Sequence, residues 1–198
     1  MATQRRKRGF TLIELLIVIS IIAVLASLGL VAAKQVQYMV RKKKSEDNLK
    51  QLYAFLTIYG NNFNCYPSMQ PRGNKKSGGA RDLYPLYLTA LDKGQFLTLL
   101  QPPGVKLVPF TKDPGPDQFD KDHVGYVYNS TVVPEQSDNP PLMAERCVED
   151  GVFTEQEKPV FRDCAHILMA NGTIKQVPVL NNKLSLNDIK LEDLAGLQ

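Results

Sequence analysis

Residues Phe10 to Ala33 form a 24-residue apolar run, interrupted only by Thr11, Glu14, Ser20, Ser27 and Gly29. No other feature constrains the chain as much. At about 1.5 Å per residue a helix of this length covers roughly 36 Å, enough for the hydrocarbon core of a bilayer. The helix is predicted to continue beyond the run. No proline occurs from Met1 to Tyr66, and no glycine between Gly29 and Gly60. Val36, Met39 and Val40, then Leu49, Leu52, Tyr53, Leu56 and Tyr59, recur at helical spacing and define one apolar face. The stretch Arg41 to Asn48 between them is polar all round, and Lys43 with Asp47 and Glu46 with Lys50 stand four apart for weak pairing. Gly60-Asn61-Asn62 is the expected stop. The reading is one helix of about 50 residues, roughly 75 Å long.

A carboxylate at Glu14, inside an apolar run of membrane length, costs about 2.5–3.5 kcal/mol at mid-helix and less near an interface. A plain anchor has no use for it, so a partner is expected. If the chain is cut between Gly9 and Phe10, a new α-amino group appears four residues upstream of Glu14. In an assembly, the amine of one subunit could meet Glu14 of its neighbour, and that pairing would fix axial register.

Charge sharpens the picture. Four of the 24 basic residues, Arg5, Arg6, Lys7 and Arg8, precede the run, and the other 20 balance the 20 acidic residues. Nucleic-acid binding needs a basic patch on the folded domain, which a removable leader does not supply. Basic residues flank both ends of the run, so charge alone does not orient it. Arg41 to Lys44 read as a solvated helix face in preference to an anionic-lipid contact. The three cysteines, Cys65, Cys147 and Cys164, form no C-x-x-C pair, and His123 and His166 are far apart, which argues against zinc. Cys147 and Cys164 flank an acidic stretch and could form a disulfide in a head outside the cytoplasm, with Cys65 as a competing partner.

The rest of the chain carries shorter signals. Tyr66 to Arg81 is a linker rich in Gly, Pro, Ser and Lys. Leu83 to Leu100 predicts one or two short helices around Pro85 and Gly94, and Gln101-Pro102-Pro103-Gly104 a turn. Gly125 to Val133 reads as a strand. His166 to Ala170, Asn171-Gly172 and Thr173 to Val177 read as a hairpin with a type I′ turn. Ser185 and Asp188 are placed to cap a short terminal helix. Asp113, Asp117, Asp120, Asp122 and His123 form an acidic loop; Asp117, Asp120 and Asp122 are the candidate calcium ligands, although a solvated loop is the preferred reading. No other metal or cofactor is expected. His166 has no nucleophile or paired carboxylate near it in sequence and reads as structural. Asn129-Ser130-Thr131 matches a glycosylation sequon, a short pattern.

Two simpler readings of the run leave observations unexplained. A secretory signal peptide cut near Val31-Ala32-Ala33 has too long an apolar region and no place for Glu14. A single-pass anchor, carrying a binding or enzymatic domain in the alternative reading, explains the length but neither Glu14 nor the Gly9-Phe10 junction.

The segment RGFTLIELLIVISIIAVLAS resembles the prepilin signature shared by type IV pilins and type II secretion pseudopilins: a basic leader ending in glycine, then Phe-Thr-Leu-Ile-Glu, then about fifteen apolar residues. Leu49 to Pro67, with Tyr59 and Tyr66-Pro67, looks like the helix end and following loop of major pseudopilins. The resemblance implies an α+β, pilin-like fold: a long N-terminal helix, membrane-spanning in its first half, packed on a small antiparallel sheet. Residues 1–9 would be a cleaved leader, 10–33 the transmembrane and filament-core helix, 34–60 its amphipathic continuation and 61–198 a soluble periplasmic head. It further implies a structural filament subunit of the bacterial inner membrane, not an enzyme. A prepilin peptidase would cut after Gly9 and methylate Phe10, Glu14 would guide assembly, and an inner-membrane platform with its ATPase would drive it. The partners are then other copies of the chain, that machinery and membrane lipid. Major pseudopilins often bind calcium in the head, which is the second reason to consider Asp117, Asp120 and Asp122. The Tyr66-Pro67 loop and the lack of a cysteine pair close to the C-terminus favour a pseudopilin over a surface type IV pilin used for adhesion, motility or DNA uptake.

Overall fold

The computed structural model describes residues 10–69, 79–134, 139–145, 161, 163–180 and 183–184. Helix α1 runs Leu12–Phe63. Two compact units divide at Val40 and Arg41.

In the unit beginning at Arg41, the final turns of α1 carry the stripe that organises the core. Leu49, Leu52 and Leu56 are fully buried, and Tyr53 and Tyr59 pack at the edge of the same cluster. Burying each leucine contributes about 1.5–3 kcal/mol. The helix passes the expected stop. Gly60 is buried within it, because the Pro134 and Tyr66 side chains close over that position. The true end is at Asn64, which takes a left-handed φ of 54° and donates its backbone N–H to the Gly60 carbonyl at 2.8 Å. Lys43–Asp47 (3.6 Å) and Glu46–Lys50 (2.6 Å) pair as expected. The polar stretch is not solvated all round, however: Ser45 and Asn48 are buried.

A short 3-10 helix (Gly79–Leu83) leads into α2 (Tyr84–Thr89) and α3 (Lys93–Leu99). Pro85 sits in the first turn of α2, where its missing N–H costs nothing. Asp92 caps α3 by accepting from the Gln95 N–H at 2.8 Å. The expected turn forms at Pro102 to Val105, with Gly104 at φ 93°.

The sheet is antiparallel and ordered as in the chain: β1 (Tyr126–Tyr128), β2 (Pro141–Glu145), β3 (Cys164–Met169), β4 (Ile174–Leu180) and the two-residue β5 (Lys183–Leu184). Ala144 faces Ile167 and His166 faces Gln176. Leu142, Met143, Leu168 and Tyr128 join the leucines of α1 in the main core. Ala165, Ile167, Met169, Val177 and Val179, alternating with those positions, form a second cluster. The fold is thus α+β, a long N-terminal helix followed by short helices and an antiparallel sheet, as expected of a pilin-like chain.

Two local expectations are corrected. The strand expected over Gly125 to Val133 stops at Tyr128, because the Asn129 side chain accepts from the Thr131 N–H (3.0 Å) and hydroxyl (2.6 Å) and turns the chain. Burial, with the bond from Nδ2 to the Pro141 carbonyl at 3.4 Å, occupies the sequon asparagine. The hairpin β3–β4 is present, but its turn is not type I′: only Gly172 has positive φ (84°). Gly172 N–H donates to Met169 C=O and Met169 N–H to Thr173 C=O, giving a three-residue loop closed by a left-handed glycine. Strand β2 had no sequence prediction. The terminal helix expected at Ser185 and Asp188 lies outside the described residues.

Gly172 also packs against α1: a Cβ there would overlap the Tyr53 ring. Gly172→Ala is therefore expected to lower stability by about 1–3 kcal/mol in thermal or denaturant unfolding. The control Gly115→Ala, at ordinary φ (−79°) with open space around it, should stay within about 0.5 kcal/mol of the parent.

Candidate functional site

Thr11 and Glu14 open α1 as a reciprocal cap. The Glu14 Oε2 accepts from the Thr11 backbone N–H (2.8 Å) and hydroxyl (2.7 Å), and the Glu14 N–H donates to Thr11 Oγ1 at 3.3 Å. This is the capping box that a Thr-x-x-Glu spacing encodes, a signal present in the sequence but not used above. Glu14 thus has a local structural role in addition to any role in assembly. Both contacts use the same oxygen, and a carboxylate has about four acceptor positions, so capping leaves it able to take another donor. Phe10 is 79% exposed at this end; Gly9 lies outside the described residues.

The remaining polar side chains in this part of the helix turn inward on its own backbone. Ser20 donates to the Ile17 carbonyl and Ser27 to the Val24 carbonyl, each at 2.7 Å. Apart from Glu14 at its start, what α1 presents from Leu12 to Leu25 is therefore apolar on every side, and its large side chains are exposed throughout. A helix apolar all round is stable only when lipid or other helices cover it. Among the described residues, which leave out the side chains at positions 28–32, no helix is long and apolar enough to cross a membrane.

The acidic loop does not gather its carboxylates. Asp117 is drawn to Arg81. Asp120 accepts from the N–H groups of Asp122 (2.9 Å) and His123 (3.1 Å) and lies 2.8 Å from His123 Nδ1. Asp117 and Asp120 line a cavity of about 340 Å³ with Arg81, Lys121 and the Phe119 ring, and Asp122 is not one of its walls. Among the described residues no group of three or more His, Cys, Asp or Glu side chains is placed to hold a metal ion.

Cys164 is buried at the start of β3; Cys147, its expected partner, lies outside the described residues. His166 is buried on the same strand with its Nδ1 2.8 Å from Glu145 Oε1. The sequence reading of His166 as structural did not find this partner, which is 21 residues away and adjoins it only because β2 pairs with β3.

The prokaryotic N-terminal methylation motif matches residues 4–30. No curated protein and no solved structure matches the chain. The motif supports a pilin-like filament subunit in the broad sense, a class that is structural rather than enzymatic, that is membrane-anchored and export-related, that is processed by a prepilin peptidase and that assembles with itself.

Asp120 provides a pH test of the loop. Burial opposes its ionisation, but the bonds from His123 and from the Asp122 and His123 N–H groups outweigh burial and hold the carboxyl below its ordinary 3.8. A group with a depressed value in the folded state stabilises above its unfolded value, and that contribution is lost as pH falls through the folded one. Asp120→Asn should therefore unfold more readily than the parent at neutral pH. The difference should shrink as both are acidified below about pH 4, as followed by tyrosine fluorescence.

Proposed function

We propose that this chain is a subunit of a helical filament assembled from the bacterial inner membrane, and that the filament is a type II secretion pseudopilus serving protein export. The observation that carries the reading is the methylation motif over residues 4–30 on a helix whose described surface from Leu15 to Leu25 is exposed and apolar on all sides. The 24-residue run supports a first half of α1 that crosses the bilayer before assembly and lies in the filament core afterwards. The pseudopilus assignment leans on the Tyr66-Pro67 loop. Tyr66 is buried and donates to the Ala170 carbonyl at 3.3 Å, and the Pro67 carbonyl accepts from the Tyr128 hydroxyl at 3.0 Å, so the loop is part of the core. Loss of cell-surface filaments with secretion intact in a deletion strain would assign the chain to a type IV pilus.

Leader removal after Gly9 and methylation of Phe10 are part of this proposal, as is a Cys147–Cys164 disulfide. Cys147 follows the end of β2 by two residues, and β2 is hydrogen-bonded to the strand that Cys164 begins. In the structure Cys164 is a free thiol, so the bridge is a proposal about the oxidised protein. Mass spectrometry of the mature protein, run without reduction, should find methylated Phe10 at the N-terminus and a Cys147–Cys164 peptide. A chain starting at Lys34 would indicate a secretory signal peptide, and Cys65 bridged to either cysteine would reject the pairing.

Glu14 is proposed to pair with the Phe10 amine of a neighbouring subunit. Its capping role decides how to test that. Gln at the same position preserves the capping box but removes the charge, whereas Ala removes both. Glu14→Gln should insert, be cleaved and keep a stable helix start, yet fail to polymerise, because an unpaired amine in an apolar bundle costs about 3–5 kcal/mol per subunit. Normal filaments or normal secretion from Glu14→Gln, scored by electron microscopy and export assays, would remove the pairing and leave Glu14 as a cap alone.

A further inference from the structure

The sheet has two apolar faces. Met143, Leu168 and Tyr128 face α1 and belong to the main core, to which α2 and α3 also contribute. Ala144, Ala165, Ile167, Met169, Val177 and Val179 point to the other side, and none of them is more than 8% exposed. Among the described residues, the hydrophobic side chain packed against this second cluster is Val127, which belongs to β1 itself. A sheet cannot bury its own face. Successive side chains leave it in opposite directions, and each apolar face needs a further layer. The exposures are those of one copy on its own, so the cover belongs to the same chain.

We propose that residues 185–198 are that cover: the segment after β5 lies across the face of the sheet opposite α1 and closes the head on its second side. β5 pairs with the edge of β4, with Leu184 opposite Val179, so the chain leaves the sheet beside a residue that has to be covered. From β4 to β1 is three strand spacings, about 14 Å. Residues 185–198 reach about 21 Å as a helix and farther when extended. Leu186 and Ile189, then Leu191, Leu194 and Leu197, recur at three-residue spacing in this segment, and such side chains need an apolar partner as much as the face does.

The other stretch of sufficient length, 146–160, is tied to the α1 side at both ends. It follows Glu145, which accepts from Ser45 of α1, and precedes Phe161, whose ring stands edge-on to His166 at 5.8 Å. Glu145 and His166 alternate with Ala144, Ala165 and Ile167 along their strands, and so stand on the α1 face. With 185–198 in place, each copy closes this face for itself, and contacts between heads in a filament use other surfaces.

Methionine oxidation tests the two faces separately. Met169 lies on the covered face, Met143 is buried on the α1 face, and Met69 is 45% exposed. The full chain in detergent is treated with peroxide, and methionine sulfoxide is located by peptide mapping. In the parent, Met69 should oxidise first, with Met143 and Met169 both slow. Leu194→Asp removes an apolar anchor from the cover. It should raise the uncovered population, and with it the rate at Met169, by about tenfold or more, and leave Met143 slow. If Met143 also speeds up, the variant has lost its whole fold, and hydrogen exchange of the parent decides. Amides of 186–197 should be protected there, equally at low and high protein concentration, because a segment of this length has little stable structure without a partner. A Met169 that stays slow in a folded Leu194→Asp protein would overturn the proposal. So would amides of 186–197 that exchange as in an unfolded chain, or a protection that grows with protein concentration and so comes from a second copy.

Discussion

The head is built around the seat of the second part of α1 on the sheet. Leu49, Leu52 and Leu56 enter the same core as Leu142, Leu168 and Tyr128, and the helices α2 and α3 add Leu86, Phe96 and Leu99 to it. Apolar burial supplies the adhesion but little register, since leucines can slide past one another at modest cost. Directional contacts supply register. Ser45 is held by Glu145, the Tyr53 hydroxyl reaches the Ala170 carbonyl at the β3–β4 turn, and the Tyr53 ring lies where only a glycine fits, at Gly172. The turn, the helix face and the buried carboxylate therefore fix one another.

The other part of α1 follows the opposite rule. Its polar side chains bond to their own helix, its first turn is closed by Thr11 and Glu14, and its apolar side chains face outward. Such a segment is complete in hydrogen bonding and incomplete in burial. That combination suits an element whose apolar partners come from elsewhere, first lipid and then neighbouring copies, and it is the physical basis of the filament proposal. Glu14 belongs to both descriptions. It finishes the helix locally, and its charge is the one feature of the segment that a neighbouring amine could recognise.

The sequence by itself determined the long helix, the apolar stripe at Leu49, Leu52 and Leu56, the short helices around Pro85 and Gly94, and the β3–β4 hairpin. Each rests on periodicity or on turn chemistry acting over a few residues, and the methylation motif is just as local. Only the tertiary structure decided that Gly60 stays helical under Pro134, that PLMAE forms a buried strand, and that Ser45, Glu145 and His166 meet. Those outcomes depend on groups brought together from up to 121 positions apart along the helix and sheet, as Lys42 and Asp163 are. Partners at such separations leave no periodic trace, because what selects them is the burial of a polar group that must find a donor or acceptor wherever the fold places one.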